Sequence, residues 1–205
     1  MIICLIGPDG SGKTTYGKYL FTYLKKKSVK VSYRELNYGY LPRISAILNI
    51  FRRTKKVLKG PAGEFHSGVK YPPFNPIKAS MLAIYWSIDY ALLRIHSALD
   101  PKRVFIFARY SYDYSFLYCY RLLPSILKLF IIAVAPTPRQ TFYISRNPST
   151  IYHVKPELPL HLIKETQDII ESMRSKYKFV PIEVVEGNPE ETSTKILSHF
   201  AAALF

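Results

Sequence analysis

A glycine-rich stretch near the amino terminus has the residue types and the spacing of a phosphate-binding loop. Residues 7–14 read Gly-Pro-Asp-Gly-Ser-Gly-Lys-Thr and fit the pattern G-x-x-x-x-G-K-[ST]. In such a loop the glycines let backbone N–H groups turn toward an anion. Lys13 then reaches the outer phosphates of a nucleotide, and the Thr14 hydroxyl binds Mg²⁺. The stretch therefore predicts a binding site for nucleotide phosphates.

The segments on either side of the loop agree with this prediction. Residues 1–6 form a short apolar run rich in β-branched side chains, which is typical of a buried strand in a parallel sheet. After the loop, apolar and aromatic side chains recur at helical spacing, namely Tyr16, Leu20, Tyr23 and Leu24. A helix that begins at the loop directs the positive end of its dipole toward bound phosphates. Strand, loop and helix thus follow in the order that such a site needs.

Composition limits the classes of protein to which the chain can belong. Its 205 residues suffice for one well-buried domain, and because 48% of them are hydrophobic we expect a single domain over 1–205. Lys and Arg number 29 against 14 Asp and Glu, a net charge of +15 that favours anionic partners. Solvated helix ends explain the basic stretches 25–34 and 52–59 more simply than a nucleic-acid groove does. Nucleic acid is therefore not an expected partner.

Cysteine usage and the apolar segments exclude further classes. Cys4 and Cys119 have neither metal-ligand spacing nor a disulfide framework, so both are expected to be reduced thiols in the core. The apolar segment 77–95 is interrupted by charged residues, among them Asp89 and Arg94, which favours a buried helix over a membrane span. Because the first residues already form a strand, no signal peptide and no membrane partner are expected. The predicted location is the cytoplasm.

Strands and helices are predicted to alternate along the chain. After the first helix, the predicted strands cover 29–34, 104–107, 141–144 and 180–185. The predicted helices cover 42–51, 75–100, 122–135, 162–177 and the residues after 188, with a long loop rich in Gly, Pro and Lys at 54–74. Helix 75–100 is apolar on nearly all sides and is expected to be central. The alternation predicts an α/β fold, with a parallel sheet of about five strands and helices on both faces.

Residues that follow the third predicted strand make a family resemblance specific. Ligands of such sheets bind beyond the carboxyl ends of the strands, where residues 108–113 read Ala-Arg-Tyr-Ser-Tyr-Asp. Together with residues 7–15, this stretch resembles the thymidylate kinase family of P-loop nucleoside monophosphate kinases. It is most similar to a thymidylate-kinase-like branch whose third strand ends in Phe-Asp-Arg-Tyr, and residues 155–159, Lys-Pro-Glu-Leu-Pro, are similar to a further motif of that branch. The resemblance extends over essentially the whole chain.

The resemblance implies a three-layer P-loop NTPase fold and an ATP-dependent phosphoryl transfer to a nucleoside monophosphate. Conversion of dTMP to dTDP is the first expectation, with ATP and Mg²⁺ as cofactors. A loop-rich acceptor region is implied near 54–76 and a lid-like region near 146–160. The family often pairs through helices, so segment 77–95 either lies in an interface between two copies or packs in the core.

The resemblance also assigns roles to individual residues. The expected catalytic residues are Lys13, Arg109 and Arg146, and the expected Mg²⁺ ligand is Thr14. The expected ATP-binding residues are Gly7, Asp9, Gly10, Ser11, Gly12, Lys13, Thr14 and Thr15. The residues expected to bind the acceptor are Asp9, Asp89, Arg94, Arg109, Tyr110 and Asp113. The planar guanidinium of Arg109 suits the phosphate of the acceptor. The residue types alone leave open a turn aspartate at Asp9, a surface cation at Arg109 and a helix cap at Asp113.

Three positions depart from the family pattern. The aspartate that precedes the arginine is Ala108, the aspartate that commonly closes the fourth strand is Ser145, and the lid has Val154 before Lys155. These replacements remove groups that organise Mg²⁺ or stabilise the transferred phosphate. Two alternatives therefore stay open. One is an ATP-binding regulatory protein with weakened catalysis, and the other is a kinase whose acceptor is a phosphorylated sugar.

Overall fold

The most apolar runs of the sequence form the centre of a parallel sheet. The computed structural model describes residues 1–35, 40–41, 73–156 and 158–204. Its strands are β1 Ile2–Ile6, β2 Val31–Arg34, β3 Val104–Phe107, β4 Gln140–Ser145 and β5 Val180–Glu183. They pair in parallel in the order β2-β3-β1-β4-β5. Strands flank β1 on both edges and helices cover both faces of the sheet, so every residue of β1 is buried, as its unbroken apolar sequence predicted.

Helices connect the strands, and several of them begin at a capping asparagine. The helices are α1 Lys13–Lys26, α2 Pro76–Leu99, α3 Asp113–Phe116, α4 Ser125–Val134, α5 Pro148–Val154, α6 Leu160–Tyr177 and α7 Pro189–Leu204. Asn75 caps α2 by accepting a hydrogen bond of 2.8 Å from the backbone N–H of Lys78. Asn188 accepts one of 3.2 Å from Glu191 at the start of α7.

The two faces of the sheet form separate cores, which makes the fold three-layered. On one face, Ile3 and Leu5 of β1 pack with Leu20 of α1 and Phe200 of α7. The other face is covered mainly by α2 and α6, whose buried side chains on that face include Trp86, Tyr90, Leu93 and Ile170. Successive residues of a strand point to opposite faces, so the apolar run of β1 fills both cores.

The strand order places the loop after β1 at the point where the connections diverge. The chain leaves β1 and returns to the sheet first on the side of β3 and later on the side of β4. Loops at the carboxyl ends of such neighbouring strands separate and leave a crevice for ligands. The residues after β3 and β4, which begin at Ala108 and Arg146, therefore lie on either side of the loop 7–14.

Helix α2 is only partly central, which corrects the prediction made from its composition. Its buried side faces the sheet, but an opposite apolar face is exposed at Ile77, Met81, Ile84, Ile88, Ile95 and Leu99. A helix that covers a sheet forms an outer layer, and its composition does not say what covers its second face. Pairing of two copies through this face stays a prediction. In the described part of the chain, no helix is both long and apolar enough to cross a membrane.

Other predicted elements differ from the structure at their ends, or fall outside the described residues. Helix α4 begins at Ser125, three residues later than predicted, because Pro124 has extended backbone and precedes the first turn. Strand β2 begins at Val31, two residues later than predicted. The predicted helix 42–51 lies outside the described residues, as does almost all of the predicted loop 54–74.

Candidate phosphate-binding site

Close packing around the loop after β1 explains two of its glycines. Gly7 has φ 150°, and a Cβ atom there would lie 2.7 Å from the carbonyl oxygen of Ile144 in β4. Gly12 has φ 102°, and its Cβ would lie 2.8 Å from the ring of Tyr16. Both backbone conformations strain any residue with a side chain. The loop is thus packed closely between β4 and the first turn of α1.

The start of α1 presents donors that suit an anion. Gly12 precedes α1 and makes no side-chain capping hydrogen bond, and the first turn contains no acidic residue. The first N–H groups of a helix have no partner within it, and the helix dipole adds partial positive charge there. The buried Ser11 hydroxyl also has no hydrogen-bond partner among the described residues. These unsatisfied donors fit phosphate oxygens.

The ammonium group of Lys13 is held by the loop itself. Its Nζ donates hydrogen bonds to the carbonyl oxygens of Gly7 at 2.7 Å and Pro8 at 2.6 Å. Asp9 Oδ1 lies 3.6 Å from the same nitrogen. Burial lowers the pKa of Lys13 to about 8, and the nearby Asp9 carboxylate opposes this effect. The buried cation is therefore only partly compensated, so a phosphate would bind it strongly.

Arg109 lies across the loop from Lys13 and binds the same aspartate. Its Nη2 donates to Asp9 Oδ1, although the two residues are one hundred positions apart. Burial alone would raise the pKa of Asp9, but the charges of Lys13, Arg109 and Lys155 outweigh burial and lower it. The structure thus brings together Asp9, Lys13 and Arg109, three of the residues predicted from the sequence.

Asp113 lies on the other side of the Arg109 guanidinium and is fully buried. Its Oδ2 is 3.8 Å from Arg109 Nη1 and has no hydrogen-bond partner in the part of the chain that the structure describes. Its Oδ1 accepts a long hydrogen bond of 3.4 Å from the backbone N–H of Tyr110. Burial raises the pKa of Asp113 to about 6, although Arg109 and Lys13 act in the opposite direction.

Replacing Asp113 with asparagine is expected to stabilise the protein near neutral pH. Since the pKa of Asp113 rises from 3.8 in the unfolded chain to about 6 in the fold, the protonated form favours folding. This contribution is present below the unfolded pKa and is lost as the pH rises through about 6. The gain in unfolding free energy for D113N should be larger at about pH 7.5 than at about pH 4.5, by on the order of 2–3 kcal/mol.

Thermal unfolding at the two pH values measures this difference. The control is Asp168→Asn, which changes an exposed aspartate of α6. An equal effect of D113N at both pH values would show that the buried carboxylate does not titrate in this range.

Arg146, which follows β4, is anchored by a residue that the sequence prediction missed. Its Nε and Nη2 donate to the two carboxylate oxygens of Glu186 at 2.7 and 2.6 Å. Its Nη1 donates to the Gly10 carbonyl oxygen at 3.2 Å, and its own carbonyl accepts from Gln167. The guanidinium is thus attached to the loop and tied by an exposed carboxylate. Glu186 closely follows β5, and the rule about strand ends that led to Arg109 would also have led to it.

Three residues predicted to bind the acceptor have structural contacts. The Tyr110 ring is fully buried and its hydroxyl donates to the Pro136 carbonyl at 2.5 Å, so its side chain belongs to the core. Arg94 donates to the carbonyl oxygens of Ala133 and Ala135 and thereby caps the end of α4. A role for these residues in binding the acceptor stays a prediction, which rested on residue type and position in the chain.

Asp89 is the third of these residues, and it holds a segment of backbone. Its carboxylate is buried and accepts hydrogen bonds from the backbone N–H groups of Tyr40 at 2.9 Å and Leu41 at 3.1 Å. The same contacts attach residues 40–41 to α2. In the structure, Asp89 is therefore a positioning residue for this segment.

The roles of Thr14 and Thr15 as ligands of the nucleotide stay predictions. Thr14 and Thr15 are in the first turn of α1, and both side chains are exposed at the loop. No group of three or more His, Cys, Asp or Glu side chains within the described ranges could hold a metal ion alone. A Mg²⁺ ion here would need phosphate oxygens as additional ligands, which is the usual coordination of Mg²⁺ bound to a nucleotide.

The sheet order, the helices on both faces and the loop between β1 and α1 define the P-loop NTPase fold. A crystal structure of thymidylate kinase from Ehrlichia chaffeensis is similar over 98% of this chain and 98% of that chain, with a TM-score of 0.59 and 15% sequence identity. At this identity, the similarity shows the fold. No protein-family model matches the sequence, and no curated protein matches it.

Proposed function

We propose that this protein binds ATP with Mg²⁺ and transfers the γ-phosphoryl group to a phosphate-bearing acceptor, with dTMP as the first candidate. The observation that supports the proposal is the arrangement of Lys13 and Arg109 on two sides of Asp9. One cation belongs to the phosphate loop, and the other follows the adjacent strand β3. Phosphate groups that displaced Asp9 would have their charges neutralised by both cations.

The described residues divide the work of such a transfer. The amides of the loop 7–14 and the Lys13 ammonium would hold the phosphates of ATP, and the Thr14 hydroxyl would hold Mg²⁺, which neutralises charge on the phosphates when bound. Arg109 would exchange Asp9 for the phosphate of the acceptor. An oxygen of that phosphate forms the new bond to the γ-phosphorus, the bond from phosphorus to the bridging oxygen breaks, and ADP leaves. Asp9, once released, can accept a hydrogen bond from an acceptor hydroxyl.

A pocket of about 20 Å³ beside Asp9 has room for one water molecule and would have to widen to admit a nucleoside. It is lined mainly by apolar and aromatic side chains, among them Phe116, Leu117 and Tyr118, with Lys155 at its edge. Aromatic and apolar walls suit the faces of a nucleobase. A phosphorylated sugar would instead need donors and acceptors for its hydroxyl groups. The lining would therefore favour a nucleoside monophosphate over the sugar phosphate only if the acceptor widens this pocket.

The alternative of an ATP-binding regulator is favoured by one position. Ala108 is buried at the end of β3, where the resembling branch has an aspartate. Loss of a carboxylate that organises Mg²⁺ and its waters would lower turnover more than it lowers ATP affinity. This second function predicts binding of ATP without appreciable transfer.

Release of ADP in the presence of a panel of acceptors tests the proposal. We expect release with dTMP to exceed that with the other nucleoside monophosphates and with sugar phosphates. Tight binding of ATP without ADP release for any acceptor would favour the ATP-binding regulator. Release with sugar phosphates alone would favour a kinase of a phosphorylated sugar. A protein that neither binds ATP nor releases ADP would contradict the proposal altogether.

A further inference from the structure

Ala108, which stands where the resembling branch has an aspartate, faces helix α1. A Cβ atom at Gly17 would lie 3.5 Å from the Cβ of Ala108. Gly17 is three residues after Thr14, and residues at this spacing lie on the same face of a helix. A carboxylate at position 108 would therefore project toward the side of α1 on which the Thr14 hydroxyl lies. In this chain a methyl group occupies that place.

An acidic residue of the neighbouring strand lies level with this position. Strand β2 pairs in parallel with β3, with Arg34 opposite Phe107. The backbone N–H of Ala108 donates to the Arg34 carbonyl oxygen at 2.9 Å, which continues the register by one residue. Glu35 is thus beside Ala108 at the carboxyl end of the sheet. Neighbouring strands are only about 4.8 Å apart, a distance that a glutamate side chain can span.

The Tyr33 side chain shows on which face of the sheet Glu35 lies. Tyr33 packs on the α1 face, and its ring lies 2.7 Å from the place that a Cβ of Gly17 would occupy. The Tyr33 hydroxyl donates a hydrogen bond of 3.2 Å to Glu35 Oε1. Burial raises the pKa of Tyr33, so that the phenol keeps its proton, and the Thr14 side chain opposes this rise. Tyr33 and Glu35 therefore lie beside the first turns of α1, the helix that carries Thr14.

We propose that Glu35 supplies the carboxylate that Ala108 lacks, by accepting hydrogen bonds from waters on a nucleotide-bound Mg²⁺ that Thr14 holds. The inference rests on the proposed function, because it needs a nucleotide in the loop. The carboxylate has moved from the end of β3 to the end of β2, and its longer side chain compensates for the extra distance. Tyr33 positions it. The group of residues that would meet the Mg²⁺ hydration shell is then Thr14, Tyr33 and Glu35.

The affinity for Mn²⁺ as a substitute for Mg²⁺ tests this role without relying on turnover. Free Mn²⁺ is followed by electron paramagnetic resonance in the presence of saturating ADP, and ADP binding without metal is measured separately by calorimetry. In Glu35→Gln we expect Mn²⁺ affinity to fall about tenfold, as is usual when a residue that orients metal ligands is lost. ADP binding without metal should be unchanged. The control is Glu183→Gln, an exposed glutamate at the end of β5, which should leave both values unchanged.

A second substitution tests whether a carboxylate at position 108 can replace the one at position 35. In the Glu35→Gln background, Ala108→Asp is expected to restore Mn²⁺ affinity, because position 108 faces the same turn of α1. If this double variant does not fold, as judged by its unfolding temperature, the comparison of Glu35→Gln with Glu183→Gln decides alone. If the double variant folds but does not recover Mn²⁺ affinity, the proposal that Glu35 takes the role of a carboxylate at position 108 is overturned.

The outcomes separate this inference from the proposed function. Wild-type Mn²⁺ affinity in Glu35→Gln would overturn the inference while leaving the proposed function intact. An equal loss of ADP binding with and without metal would also overturn it, since Glu35 would then support the loop and not the ion. Failure of the unaltered protein to bind ADP or ATP at all would contradict the proposed function and this inference with it.

Discussion

Replacing Lys13 with alanine is expected to weaken ATP binding by about ten- to a hundredfold, since a lost hydrogen bond to a charged group typically removes about 1.5–3 kcal/mol. The ammonium is buried and is held only by loop carbonyls and one carboxylate. A triphosphate would offer it full negative charges at close range. Calorimetric titration with ATP measures the affinity of the variant and of the unaltered chain.

The matched control for this experiment is Lys18→Ala. Lys18 lies on the same helix as Lys13 but its side chain is exposed, so its loss should leave ATP affinity within a factor of about two. Because Lys13→Ala also leaves Asp9 with one cation fewer, the unfolding temperature of both variants is measured alongside. Undiminished ATP affinity in a folded Lys13→Ala protein would show that the loop is not the phosphate site.

Replacing Arg109 with alanine is expected to lower turnover with the preferred monophosphate by about a hundredfold, because Arg109 would position the acceptor phosphate and misplacing a reacting group by about 1 Å can cost that much. ATP affinity should change far less, because Lys13 and the loop amides remain. Arg109→Lys should recover only a small part of the rate, since a single ammonium cannot hold two phosphate oxygens in a fixed plane. Steady-state kinetics of ADP release separate the effect on kcat from that on KM.

The contacts of Arg109 require controls for folding. Its loss leaves Asp113 buried without a nearby cation on that side, so Arg109→Ala is also measured together with Asp113→Asn, which removes the buried charge. Arg121→Ala serves as the matched arginine control, because Arg121 is 54% exposed and pairs with Glu165 at 3.4 Å, away from the loop. Unchanged turnover in a folded Arg109→Ala protein would assign the acceptor phosphate to another cation.

The elements around the site could be predicted largely from local sequence. The loop 7–14, strand β1 and helix α1 each depend on interactions between residues close in the chain, such as glycine conformations and helical periodicity. The strands predicted at 104–107 and 141–144 were recognised because both faces of a central parallel strand are buried, so that apolar residues run without interruption. The order of these elements already implied that residues at the strand ends would meet.

Side-chain direction could not be predicted in the same way. Tyr110 follows Arg109 directly, yet its ring points into the core while the Arg109 guanidinium points to the loop. Arg94 and Asp89 are on a helix whose rotation about its axis is set by packing, and that rotation directs them to carbonyls and amides. Glu186 lies between the end of β5 and the start of α7, but its partner Arg146 is forty residues away in the sequence.

The amino-acid sequence by itself thus determined the phosphate loop, the alternation of strands and helices, and the absence of an aspartate at Ala108. Only the tertiary structure decided that Asp9 bridges Lys13 and Arg109, and that Glu35 stands beside Ala108. The physical reason is that backbone conformation depends mainly on neighbouring residues, whereas the meeting of side chains from different strands depends on sheet order and register. Both follow from the packing of the whole chain.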